Sequence, residues 1–475
     1  MVAKSFRICY NFSKPRKKGE SGLESAKKEN YGNDLTEGSV AGKLIRFSIP
    51  LIGAYLLQSL YSMVDMLIVS RLAGTYSMSA VNIVAQVAQV VTGVAFGFLS
   101  GTTVLVAQYV GAGKKEAVQK AIGTSFAFIF RLSVAATVGL LLLTDPLLTL
   151  LQTPRECYGE ARNYYMIYMA GTVFVFFYNA ISAVLRGVGD SRNPLYFVII
   201  STTLNIGLDL LFVGPMKLGA AGAALATVLS QALSVVLAVL HLRRIGFDFD
   251  LSPKSMRTDS QQLKLLFRLG TPVALQETLL NVSLVFLVAA ANSLGVHESA
   301  AVGIGSKINV IFILPVCALN VALATMVGQN IGAGKLDRAM KATRLELLYS
   351  AVYSAVICAV MWIFSKELMM IFTDDPRTLA VGANYFKGHC WDYLLLMPFG
   401  YCFGGMFLGM GYSSYVAIAN GVGALVARIP LSFLLARHLG VVGLGLAYPV
   451  STLFTDLAFF YFYFKGTWKH SRIPK

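Results

Sequence analysis

The chain has 475 residues, 56% of them hydrophobic and only 13% charged, with a mean hydropathy of +0.64. A charged fraction about half that of soluble domains excludes an ordinary water-soluble fold. The formal net charge of +16 would suit a nucleic-acid binder, but most of the Lys and Arg fall in the N-terminal tail and in alternate loops between apolar segments, the pattern that sets membrane topology.

Residues 1–43 contain Lys14-Pro-Arg-Lys-Lys18 and no apolar core. They cannot be a cleaved secretory signal and are expected to form a disordered basic tail on the cytoplasmic side. Twelve apolar segments follow, at 46–70, 80–109, 121–144, 163–185, 194–213, 219–241, 267–291, 300–327, 344–364, 384–408, 414–436 and 441–464. Each suffices for the roughly 20 residues that a helix needs to cross a bilayer. The expected fold is an all-α integral membrane protein of the cell membrane with twelve transmembrane helices and both termini cytoplasmic. Six scattered cysteines imply no disulfide framework, and five isolated histidines show no metal-ligand spacing.

The first segment, Pro50 to Ser70, carries one ionisable residue, Asp65. A carboxylate in hydrocarbon costs several kcal/mol, so it normally faces a cavity and handles an ion or a proton. The plainer alternative is a buried Asp that only pairs with a neighbouring helix. Tyr61 lies one turn below on the same face, and Pro50 either kinks this helix or occupies its first turn.

The chain repeats itself. Gln108 and Gly111-Ala-Gly-Lys114 recur as Gln329 and Gly332-Ala-Gly-Lys335, a shift of 221 that also relates Leu218-Gly219 to Leu439-Gly440. A shift of 222 relates Gly187-x-Gly189 to Gly409-x-Gly411 and Pro50 to Pro272. Duplication of a six-helix unit gives two pseudo-symmetric parallel lobes, an arrangement suited to rocking around a central site. The expected organisation is a tail at 1–43, a first lobe at 44–241, a cytoplasmic linker at 242–266, a second lobe at 267–465 and a cytoplasmic tail at 466–475. The Gly-Ala-Gly-Lys turns are not phosphate loops, because Lys114 precedes Lys115 and Lys335 precedes Leu336 where Ser or Thr is required. Nothing suggests ATP hydrolysis or any other enzyme activity.

Asn205 and Asp209 are four residues apart in the fifth segment and share one helix face. Counting 1.5 Å per residue from the inner edges puts Asp65 and Asp209 within roughly 6 Å in depth, so they can meet. Asn179 and Thr227 could add oxygens from the fourth and sixth helices. Two carboxylates in one poorly solvated pocket favour holding a proton; with Asn, Thr and backbone oxygens around them, Asp65, Asn205 and Asp209 could equally bind sodium. The repeat lacks this chemistry, since Asp65 falls on Leu287, Asn205 on Val426 and Asp209 on Pro430. The second half has embedded charges of its own, Glu277, Lys307, Asp392, Arg428 and Asp456. Lys307, Asp392 and Arg428 either pair with one another or, with Glu277, shape a polar substrate path.

Tyr61-Ser-Met-Val-Asp65 after Pro50, the Gln-x-x-Gly-Ala-Gly repeats, Arg186-Gly-x-Gly-Asp190, and Leu204-Asn205-x-x-x-Asp209 followed by Leu218-Gly-x-x-Gly-Ala together resemble the multidrug and toxic compound extrusion (MATE) family. The resemblance spans residues 41–465. It implies a proton or sodium site at Asp65, Asn205, Asp209, Asn179 and Thr227 beside Tyr61, with bending of the first helix near Pro50. The expected function is a secondary antiporter exporting organic cationic or amphipathic molecules in exchange for H+ or Na+. It would work as a monomer in the bilayer, with no cofactor and no nucleic-acid partner. A flippase for a lipid-linked saccharide is the alternative; it would call for a cavity dominated by cations.

Overall fold

The computed structural model describes residues 34–244, 249 and 255–469. In chain order the first half contains α1 (Val40–Leu72), α2 (Gly74–Gly111), α3 (Lys115–Leu142), the short α4 (Thr144–Leu150), α5 (Arg155–Ala170), α6 (Thr172–Gly187), α7 (Arg192–Val213) and α8 (Gly219–Arg244). The second half contains α9 (Ser260–Asn292), α10 (Val296–Gly332), α11 (Leu336–Ile363), the short α12 (Ser365–Met370), α13 (Pro376–Trp391), α14 (Met397–Gly409), α15 (Ser413–Gly421) and α16 (Ile429–Lys465). The π-helical stretches Asp392–Leu396 and Val422–Arg428 join α13 to α14 and α15 to α16.

Nine described helices are long and apolar enough to cross a membrane, ten when the pair α5–α6, bent by 44°, counts as one span. The helices from Pro376 to Gly409 cover the expected segment 384–408, and Gly440, at φ 60° and ψ −139°, divides the long run from Ser413 to Lys465. The architecture is therefore all-α and consistent with twelve crossings. Many large apolar side chains, such as Leu142, Phe130 and Val356, lie on the outside, as a helix bundle in lipid requires.

The duplication is written into the backbone. Positive-φ glycines occur at equivalent points of both halves: Gly74 and Gly295, Gly113 and Gly334, Gly189 and Gly411, Gly219 and Gly440. At Gly113 and Gly334 the φ values are 68° and 74°. The next residue's N–H then turns back to a helix carbonyl, Lys114 to Tyr109 and Lys335 to Asn330, the left-handed closure for which glycine is preferred.

The helices do not sort neatly into the two sequence halves. Leu44, Phe47 and Leu51 of α1 belong to a core with Ala318, Ala322 and Phe407 of the second half. Their repeat counterparts at the start of α9, Leu266 and Leu269, pack into a core of the first half with Leu105, Ile122 and Leu185. Each half's leading helix thus begins against the opposite half. The crossing of α2 and α9 is tight enough to need glycine: a Cβ at Gly97 would stand 2.3 Å from the Ala274 nitrogen.

The tail boundary expected at residue 43 is corrected by the structure. Ser39 caps α1 by accepting from the Gly42 nitrogen at 3.2 Å, and Leu35 is 1% exposed. An apolar anchor and a cap order this stretch despite its polar composition. Residues 1–33 lie outside the described residues. So do residues 245–248 and 250–254 of the expected linker, of which α8 and α9 occupy both ends while Phe249 is buried in the first-half core. At the other terminus, Thr467–Lys469 form a 3-10 turn with Trp468 buried; the rest of the expected tail, 470–475, is not described.

Candidate functional site

Three helices build the site. α1 contributes Tyr61 and Asp65, α7 contributes Asn205 and Asp209, and α8 contributes Thr227. Asp209 is fully buried and Asp65 is 9% exposed. The Tyr61 and Thr227 hydroxyls are hydrogen-bonded at 3.1 Å, and Asn205 Nδ2 donates to Thr227 Oγ1 at 3.4 Å. Thr227 therefore links α1 to α7 through α8.

The carboxyl groups of Asp65 and Asp209 lie close enough to interact directly. Two ionised carboxylates cannot hydrogen-bond to each other, because neither carries a donor. Four oxygens here have no hydrogen-bond partner: Asp65 Oδ1, Asn205 Oδ1 and both oxygens of Asp209. Among the described residues the ion pairs are Arg162 with Asp145 and His297 with Asp375, so no protein cation neutralises the acids. A proton or a small hard cation fits the unused acceptors. Tyr164 and Tyr168 of α5, their rings stacked 5.9 Å apart, lie within electrostatic reach of Asp65. Sequence reasoning passed over them; their four-residue spacing was a signal, but one indistinguishable from an ordinary packed helix face.

Asn179 departs from its expected place. Its Nδ2 donates to Val175 O one turn back at 2.8 Å, and its side chain lines a cleft of about 360 Å³ with Gln89, Thr92, Phe96, Glu277 and Asn281. The resemblance implied a place with the acids, but the cleft it lines is shared with α2 and α9. Pro50 is buried inside α1, which continues unbroken through it.

Of the second-half charges, Glu277 lines this same cleft. Lys307 is exposed, and no ion pair within 4.0 Å joins Asp392 to either Lys307 or Arg428 among the described residues. Mutual pairing of the three is therefore not what the structure contains. Arg428 instead donates to Ser451 at 3.2 Å and Ser283 at 3.4 Å and sits over the Tyr448 ring. Asp392 Oδ1 and both oxygens of the buried Asp456 lack partners, so the second half also holds unneutralised acids, although not at the repeat positions of Asp65 and Asp209.

Comparison with known proteins bears on the whole chain. It is 29% identical over 446 residues to the probable multidrug resistance protein YpnP of Bacillus subtilis, covering 93% of this chain and 98% of that one. It is 25% identical over 452 residues to the probable multidrug resistance protein NorM of Thermotoga maritima, covering 93% and 96%. The fold matches an outward-facing multidrug resistance MATE family transporter with a TM-score of 0.86 at 22% identity, covering 93% of this chain and 98% of that one. The MatE family model matches twice, at residues 50–211 and 272–434, once in each repeat. With most of its length matched in this duplicated way, the chain belongs to the MatE family.

Proposed function

We propose that the chain is a secondary antiporter in the cell membrane, with both termini cytoplasmic, that exports organic cationic or amphipathic compounds against inward H+ or Na+. The observation that carries this reading is the buried α1–α7–α8 site, where two acids lie within direct interaction of each other with four oxygens unpartnered and no ion pair to them among the described residues. Such a site must be filled from solution by a proton or a monovalent cation, the loading step that an exchanger needs. The names of the multidrug resistance relatives support export of drug-like molecules.

The cleft supplies a place for cargo. Its volume of about 360 Å³ falls in the range of small-molecule pockets, its walls include Phe96 and Phe176, and the charged residue in its lining is the acid Glu277. An acidic, aromatic cleft suits an organic cation and disfavours the pyrophosphate of a lipid-linked saccharide. One charge moving through 100 mV supplies about 2.3 kcal/mol, enough to bias a rocking cycle.

The test is Asp65→Asn in everted vesicles, following dye efflux and ion exchange together. Coupled efflux should vanish while the protein is still inserted at wild-type abundance; full efflux would remove the α1 acid from the mechanism.

A further inference from the structure

The repeated glutamines have a use that neither the ion site nor the cleft absorbs. Gln108 Nε2 reaches out of the first half to Gly409 O at 2.8 Å, and Gln329 Nε2 reaches out of the second half to Gly187 O at 3.0 Å. Donors and acceptors are all repeat equivalents, so the two bonds form a reciprocal pair across the pseudo-twofold axis. Both glutamines are buried, 3% and 1% exposed.

Two further features fix this crossing. The backbones touch beside the bonds: a Cβ at Gly111 would lie 1.9 Å from Gln329 O, and one at Gly332 would lie 2.0 Å from Gln108 O. The acceptors are the last carbonyls of α6 and α14. The turns that close those helices use Leu185 O and Arg186 O in one half and Phe407 O and Leu408 O in the other, and leave the Gly187 and Gly409 oxygens over. A leftover helix-end carbonyl can exchange a glutamine for water at little cost, so these bonds suit repeated making and breaking.

One side is also bolted. Leu35 N donates to Gln329 Oε1 at 3.1 Å, so the Gln329 amide is engaged at both ends. Arg338 donates to Glu37 O and Gly38 O at 2.7 Å each, Lys335 donates to Thr36 O at 3.0 Å, and Asn330 donates to Leu35 O at 3.2 Å. Residues 34–39, which lead into α1, are thereby strapped to α10 and α11 of the other half. Along α2 the tight crossing with α9 at Gly97 and Gly101 follows, and the cleft begins beyond it at Phe96, Gly93 and Thr92.

We propose that Gln108 and Gln329 are the latch that closes the cleft toward the terminus-bearing face, with residues 34–39 as its bolt, and that opening to that face requires both glutamine bonds and the strap to release together. The latch rests on the alternating-access reading above, but its test needs neither cargo nor coupling ion, so the two can fail separately.

The test reads sidedness of labelling. A cysteine reporter, Thr92→Cys, is placed in the cleft after replacement of the native cysteines, and a membrane-impermeant maleimide is applied to everted and to right-side-out vesicles. Gln108→Leu with Gln329→Leu should raise labelling from the terminus face about a hundredfold, as expected for losing the two reciprocal glutamine bonds and the Leu35 N bond to Gln329 Oε1, with a matching fall from the opposite face. Gly111→Ala, which wedges the crossing while keeping both glutamines, should do the same. Gly113→Asn, where nothing lies within 4 Å of the added carbon, should match wild type. If the glutamine variant does not fold, Arg338→Ala with Lys335→Ala cuts only the strap and should still raise terminus-face labelling at least twofold. Sidedness unchanged in the latch or strap variants, with lowered Tm alone, would make these contacts mere packing and overturn the proposal.

Discussion

Thr227→Val isolates the hydroxyl on which the α1–α7–α8 site converges, because valine keeps the shape and removes only Oγ1. Two bonds are lost: one to Tyr61 at 3.1 Å and one from Asn205 at 3.4 Å, the latter near the limit of a useful hydrogen bond. At about 1 kcal/mol net for each, the loss is about 2 kcal/mol, or roughly a thirtyfold change in an equilibrium constant. Efflux of a cationic dye, driven by a graded pH or sodium step in vesicles, should need roughly thirtyfold more coupling ion for half-maximal rate. The rate at saturation should remain, and Thr227→Ser should track wild type. Tyr61→Phe removes one end of the same bond, so combining it with Thr227→Val should add less than the sum of the two. Wild-type ion dependence in Thr227→Val, or strict additivity with Tyr61→Phe, would refute the linkage of these helices through one hydroxyl.

Other outcomes follow from geometry elsewhere. Glu277→Gln should weaken a cationic dye about tenfold while leaving a neutral amphiphile unchanged, since only the charge in the cleft is removed; equal effects on both ligands in a binding titration would count against the cleft. Gly97→Ala must part α2 and α9, with a Cβ 2.3 Å from a backbone nitrogen, at a cost of about 1–3 kcal/mol. Its Tm should drop, while Gly139→Ala, with nothing within 4 Å, should hold; equal melting would contradict the crossing. Burial pushes the Asp34 carboxyl up, but bonds from the Thr36 side chain and backbone and the charges of Lys43 and Lys335 outweigh it, leaving Asp34 below the ordinary value of 3.8. Its contribution to the strap is then fully present above that value and disappears as pH falls through the lowered one. Amide exchange of residues 35–38 should therefore quicken, beyond intrinsic rates, only in acid below 3.8, and Asp34→Asn should abolish that step.

How much of this could be read from residues alone depends on which coordinate was needed. Depth along a helix is fixed by counting, so Asp65 and Asp209 could be matched in level, and the two lie within electrostatic reach of each other. The neighbours that a helix face meets cannot be counted along the chain, and Asn179, which the resemblance assigned to the acids, instead lines the cleft. Sequence spacing revealed the repeat, and the paired positive-φ glycines follow it closely. It could not reveal that α1 and α9 begin against opposite halves, because Leu44 and Leu266 look like any apolar helix residue until their partners are known. The ordered stretch before α1 was hidden for a related reason: its stability comes from Gln329, Asn330 and Arg338, far along the chain. Asp392 and Arg428 were visible as embedded charges, yet the π-helical stretches that re-aim them have no clear mark in composition.

The exchanged beginnings of α1 and α9 bear on how the molecule is made. While the ribosome is still producing the early helices, Leu44, Phe47 and Leu51 have no seat, since α10 and α14 that receive them do not yet exist. The nascent front portion must wait in the bilayer with its first helix undocked, and assembly can finish only after the later helices are inserted. Fragments cut at the α8–α9 junction would then each lack a wall, and co-expression of both pieces should recover what neither achieves alone.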